Sequence, residues 1–91
     1  MAIEITDVRV FRLLSKGTKV RAVATVTLGG EYAVHGLKVM ERDDGVLWVS
    51  MPRQRNPSDG SWRDVFHPVT GEAREKLINA VLEAYEADQK Q

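Results

Sequence analysis

The run Val20-Arg-Ala-Val-Ala-Thr-Val-Thr-Leu28 constrains the fold more than any other stretch: Val20, Ala22, Ala24, Val26 and Leu28 alternate with Lys19, Arg21, Thr25 and Thr27. Successive side chains of an extended chain point to opposite faces, so this pattern defines a strand with one face on a core and the other toward water. Gly29-Gly30 follows, a two-residue connection able to take the positive φ of a primed hairpin turn, and a second β-rich run starts at Tyr32. Strands two and three are therefore expected to pair antiparallel. Within the second run Tyr32 and Val34 share one phase and Leu37 and Val39 the other. Gly36 lies where the phase changes, which predicts a bulge or sharp bend there.

The flanking stretches extend the same pattern. Residues 3–13 are rich in β-branched side chains, with Ile3 and Ile5 in one phase and Val8 and Val10 in the other, so one strand with a bulge near Thr6-Asp7 is expected. Residues 15–18 contain Gly17 and form a turn, as does Asp43-Asp44-Gly45, and residues 46–51 suit a short fourth strand. After Pro68 the period becomes helical: Ala73, Leu77, Ile78, Val81, Leu82 and Tyr85 fall on one stripe. Thr70 is the expected N-cap, Glu72 and Glu75 suit the first turn, and Glu72 is placed to pair with Lys76. Residues 88–91 are polar and expected to fray. The expected fold is α+β: an antiparallel sheet of four or more strands, a basic loop and a C-terminal helix packed on the sheet.

Size bounds what this chain can be. At 91 residues it is one domain, 1–91, and a domain so small buries a modest share of its surface, which makes help from a partner chain an expectation. With 43% hydrophobic and 29% charged residues the chain is globular, not disordered. Thirteen basic and thirteen acidic residues cancel, so attraction to nucleic acid has to come from a local patch. Residues 1–71 hold ten basic and eight acidic groups, and residues 72–91 three and five, which places the positive charge with the strands and loop. The absence of cysteine excludes disulfides and thiolate chemistry. The acidic N-terminus has no apolar signal-like region, and no apolar run approaches the roughly 18 residues that span a bilayer. The expected location is cytoplasmic, with no membrane insertion.

Residues 51–68, Met-Pro-Arg-Gln-Arg-Asn-Pro-Ser-Asp-Gly-Ser-Trp-Arg-Asp-Val-Phe-His-Pro, differ from everything around them. Three arginines, three prolines, Trp62, Phe66 and His67 sit in one segment, and Pro52, Pro57 and Asp59-Gly60 make it a shaped loop. Arg53, Arg55 and Arg63 are the candidate phosphate contacts, because a guanidinium stays charged and its fork matches phosphate oxygens. The competing assignment is a solvated loop whose arginines pair with Asp59 and Asp64. Trp62 is open between stacking on an unpaired base and packing, whereas Trp48 is assigned to packing, in the core or at a dimer interface with its ring half covered. Lys38 and Arg21 are further candidate contacts. His35 is a satisfied structural histidine, and Phe66 anchors the exit of the loop. His67 has only Asp64 as a nearby partner, with no nucleophile or oxyanion motif, so no catalytic residue is expected. Asp43-Asp44-Gly45 lacks the spaced ligands of a calcium loop, Gly29-Gly30 lacks the Lys-Ser/Thr of a phosphate loop, and two histidines do not make a zinc site; no metal or cofactor is expected.

Ile5-Thr-Asp-Val-Arg-Val10, Val20 to Leu28, Tyr32-Ala-Val-His35, Met51-Pro52, Trp62-Arg-Asp64 and His67-Pro68 together closely resemble the SpoVG family of bacterial stage V sporulation protein G, or septation, proteins. The resemblance runs in order through about the first 85 residues. It implies a small cytoplasmic regulator linked to cell division, septum formation and sporulation-type development, binding DNA, RNA or both as a homodimer. The family pattern carries a Lys-Arg pair after Met-Pro-Ser where this chain has Arg53-Gln54-Arg55, and Ser58 is added to the turn. In a twofold dimer the arginine patch would appear twice. The alternative function is a protein-interaction module of the division machinery with no direct role on nucleic acid.

Overall fold

The alternation read from residues 20–28 becomes the second strand of a meander. The computed structural model describes residues 3–13 and 18–89, so the turn expected at residues 15–18 falls largely outside them. Strands Ile5–Arg12 (β1), Val20–Leu28 (β2), Tyr32–Glu41 (β3) and Leu47–Ser50 (β4) form one antiparallel sheet in the order β1-β2-β3-β4. Arg53–Arg55 (β5) and Trp62–Asp64 (β6) make a separate two-stranded sheet, and helix Gly71–Gln89 (α1) closes the described chain. The segment expected as an irregular loop is thus a small hairpin.

The expected irregularities lie where the hydrophobic phase changes. Ile5 pairs with Leu28 but Asp7 with Thr27, so Thr6 is the extra residue on β1, and Ile5, Val8 and Val10 all pack against the core despite their different phases. On β3, Ala24 pairs with Leu37 and Val26 with Val34, which makes His35 and Gly36 the bulge. A further shift separates Val20 paired with Met40 from Ala22 paired with Val39. The turn after β2 is one residue longer than expected. Glu31 N–H donates to the Leu28 carbonyl at 3.0 Å across Gly29 and Gly30, at φ 57° and 71°, but the first pair is Leu28 with Tyr32, so three residues connect the strands.

One face of the sheet carries Ala22, Ala24, Val26, Leu37, Val39 and Val49, all buried with Met51 against Leu77, Val81 and Tyr85 of α1. Alanines at the centre of β2 leave room for the helix to approach. Ala73, expected on the apolar stripe, is exposed along an open groove that it lines with Ile5, Leu28 and Leu77. Thr70 caps the helix: Ala73 N–H donates to its Oγ1 at 3.1 Å, a contact worth about 1 kcal/mol. Glu72 and Lys76 pair at 3.7 Å. At the other end Arg12, an unremarked residue of the sequence pattern, ties β1 to α1. Its guanidinium donates to Asp88 Oδ2 and to the Tyr85 carbonyl, each at 2.9 Å, and lies 4.0 Å from the centre of the Tyr85 ring. A cation there also complements the negative end of the helix dipole. No described helix is long and apolar enough to cross a membrane.

Candidate functional site

The β5–β6 hairpin grows from a fixed base and ends in a tip braced by short polar side chains. Pro52 is buried against Gly36, and its carbonyl accepts from Val65 N–H at 2.9 Å. Asn56 N–H donates to the Ser61 carbonyl at 2.7 Å, and Gly60 N–H to the Asn56 carbonyl at 2.8 Å. Asn56 Oδ1 accepts from Ser58 N–H, and Asp59 Oδ1 accepts from both the hydroxyl and the amide of Ser61. These Ser61 bonds, the hydroxyl first, hold the Asp59 carboxyl below its ordinary pKa by favouring the charged form. Asp59 is thereby engaged with the turn and not with an arginine.

Register decides which side chains share a face. Arg53 pairs with Asp64, Gln54 with Arg63 and Arg55 with Trp62. Because Asn56–Ser61 and Pro52–Val65 are the hydrogen-bonded positions, Arg53–Asp64 and Arg55–Trp62 are non-hydrogen-bonded pairs, where opposed side chains come closest. Arg53, Arg55, Trp62 and Asp64 therefore lie on one face, and Gln54 and Arg63 on the other. The three arginines expected as one patch are divided between two faces of an exposed ribbon. Arg53 is partly neutralised, with Nε 3.5 Å from Asp64 Oδ1. Arg55 and Arg63 have no carboxylate within ion-pair distance among the described residues, and both border a shallow depression with Gln54, Asn56, Pro57 and Asp64, whose carboxylate is engaged by Arg53.

The remaining candidates lie on the main sheet. Lys38, paired with Val23 and Ser50, is exposed and also without a described acidic partner. Ser50 precedes Arg53 by only three residues, so Lys38 sits toward the hairpin's end of the sheet. Arg21 is held by Glu41 at 3.4 Å and is a weaker candidate than its charge implies. His35 is satisfied through Thr25 Oγ1 at 3.0 Å from Nδ1. His67 Nδ1 lies 3.1 Å from the Pro68 carbonyl, and Phe66 packs on the core as expected of an exit anchor. Trp48, assigned to packing, is 42% exposed and so is not in the core: it pairs with Met40 on the sheet face opposite α1, in the phase that alternates with buried Val49. Phe11, 57% exposed, lies on that outer face too, in one row with Val23 and Lys38. Alternation alone could not reveal this surface, because the face of Phe11 follows from the bulge at Thr6 and that of Trp48 from the register of β4 on β3.

These features define a class, a small α+β domain whose sheet carries one helix and whose second, two-stranded sheet displays unpaired guanidinium groups. A family model described as SpoVG matches residues 3–87. A protein of Archaeoglobus fulgidus named "Putative septation protein SpoVG" is 52% identical over 83 residues, covering 91% of this chain and 94% of its own. Proteins with the same name from Lachnospira eligens and Desulforudis audaxviator are 48% and 46% identical, each over 90% or more of both chains. The chain belongs to the SpoVG family.

Proposed function

We propose that this chain is a regulator that binds DNA or RNA through the β5–β6 hairpin and acts in septum formation, the process named in its relatives. The observation that carries this reading is the pair Arg55 and Arg63, guanidinium groups free of described carboxylates on a ribbon exposed on both faces. Such groups make charge-assisted bonds to phosphate and supply affinity before sequence preference. Lys38 shares the outer face of the main sheet with Phe11 and Trp48 and is not part of this hairpin surface. The proposed assembly is a homodimer covering the outer face around Phe11 and Trp48, which presents the arginine pair twice. Light scattering at micromolar concentration is expected to give twice the chain mass, and a monomer would remove this part of the proposal.

Binding is measured by fluorescence anisotropy of labelled duplex DNA and single-stranded RNA at two salt concentrations. Arg55→Ala/Arg63→Ala, shown folded by circular dichroism, is expected to bind at least roughly tenfold more weakly, with a salt slope shallower by about four, since each subunit of the dimer loses two cations. Equal binding by the variant would overturn the hairpin assignment. The second reading, a protein-interaction module of the division machinery, draws on the apolar outer face. It is favoured if wild type binds neither probe while a protein partner is retained after nuclease treatment.

A further inference from the structure

We infer, resting on the nucleic-acid reading above, that the hairpin takes its ligand as a single strand, with an unpaired base stacked on Trp62 and the adjoining phosphate on Arg55. Trp62 is 58% exposed and is not among the side chains packed on the core, although Pro52 at the base of the same hairpin is buried. Its cross-strand neighbour is Arg55 at a non-hydrogen-bonded position, where opposed Cβ atoms stand about 4.5–5.5 Å apart. Arg55 does not cover the ring. Its guanidinium lies over Gly60, where a Cβ would stand 3.4 Å from Nη2, and the cation over an aromatic ring among the described residues is Arg12 on Tyr85. A free π face and a free guanidinium thus stand side by side, matched to the base and phosphate of one nucleotide.

The same geometry argues against a duplex on this face. Base faces in a duplex are hidden in the stack, and an indole offers one donor and no acceptor with which to read a base edge. The other pair on the face, Arg53–Asp64, puts a carboxylate beside the ring. Two phosphate backbones flanking a ribbon would meet that charge, whereas a single strand can pass Trp62 and Arg55 without it. Stacking tolerates any base, so the expected preference is for strandedness and not for sequence.

The chain has two tryptophans, so Trp48→Phe leaves Trp62 as the sole indole reporter. Oligo-dT and oligo-rU are titrated into this variant with emission and anisotropy followed together, and a duplex of equal length serves as the third arm. Quenching of Trp62 that saturates with the anisotropy change is expected for the single strands. Against wild type, Trp62→Ala is expected to weaken single-strand binding about five- to hundredfold while changing duplex binding less than about twofold, and Trp62→Phe to retain most of it. The dT and rU arms show whether the 2′-hydroxyl adds to the contact. Unaltered single-strand affinity of Trp62→Ala, or a silent Trp62 emission on binding, overturns the stacking. So does equal weakening of all three arms, or loss of the dimer in Trp62→Ala by light scattering, which makes the ring a subunit contact. If Arg55→Ala/Arg63→Ala keeps full affinity, it is the underlying hairpin reading that fails; if that variant loses binding and Trp62→Ala does not, only the stacking does.

Discussion

Leu37→Ala is expected to lower the free energy of unfolding by about 2–5 kcal/mol, the range for truncating a fully buried leucine. The upper half of that range is expected because the site cannot collapse. Leu37 pairs with Ala24 on β2 and shares the core with Ala22, Val26 and Val39, short or stiff side chains with no reach into the vacated volume. Helix α1 is also held in place at its C-terminal end, where Arg12 of β1 ties Tyr85 and Asp88. Domains of this size have total stabilities toward the lower end of about 5–15 kcal/mol, so the variant is expected to be partly unfolded at 37 °C. Urea denaturation followed by circular dichroism measures it, with Leu37→Met, which conserves volume, expected to cost under about 1.5 kcal/mol. A loss below about 1 kcal/mol for the alanine variant would show that the core relaxes around the site.

Gly36→Val is expected to cost roughly 1–3 kcal/mol and to act at a distance on the hairpin. Gly36 has φ 93°, a left-handed conformation that is a genuine outlier for a β-branched residue. A Cβ there would meet Pro52 Cβ at 3.4 Å and Pro52 Cα and Cγ at 3.8 Å, and the two further methyl carbons of valine have to go beyond it. Pro52 is buried, and its carbonyl holds Val65 N–H, so any shift is transmitted to the base of the ribbon. Faster hydrogen exchange at the Val65 amide is expected together with the lowered urea midpoint. Gly36→Ala isolates the backbone strain, because its Cβ contact is ordinary, and is expected to lose stability while keeping the Val65 amide protected. If both variants leave that amide unchanged, Gly36 serves the sheet alone and does not set the hairpin.

The elements most legible in the sequence were those with strong periodicity. The alternation at Val20–Leu28, the phase changes near Thr6-Asp7 and at Gly36, and the stripe Leu77, Val81 and Tyr85 each predicted an element that the structure contains. The candidate site was legible in its residue types and less so in its arrangement. Residues 51–68 carry no repeated apolar period, because a ribbon exposed on both faces has no core side to mark, so periodicity does not distinguish β5 and β6 from a loop. The expected link between arginine and acid held for Arg53 with Asp64 and failed for Asp59, which turns inward to Ser61. Trp48 shows the same limit: a large aromatic beside a sheet packs either in the core or half covered at its outer face, and only the register of β4 on β3 places it on the outer face.

Local, periodic signals in the chain were enough for four strands, the antiparallel pairing of the second with the third, the bulges near Thr6-Asp7 and at Gly36, and the capped helix. Each follows from steric and solvation preferences acting over a few residues. Only the tertiary structure decided that Arg63 parts company with Arg53 and Arg55, that Arg55 is left unpaired beside an open Trp62, and that Arg12 fastens the helix. Those outcomes depend on hairpin register and on contacts between residues far apart in the chain, and a one-residue change of register moves every side chain of a strand to the opposite face.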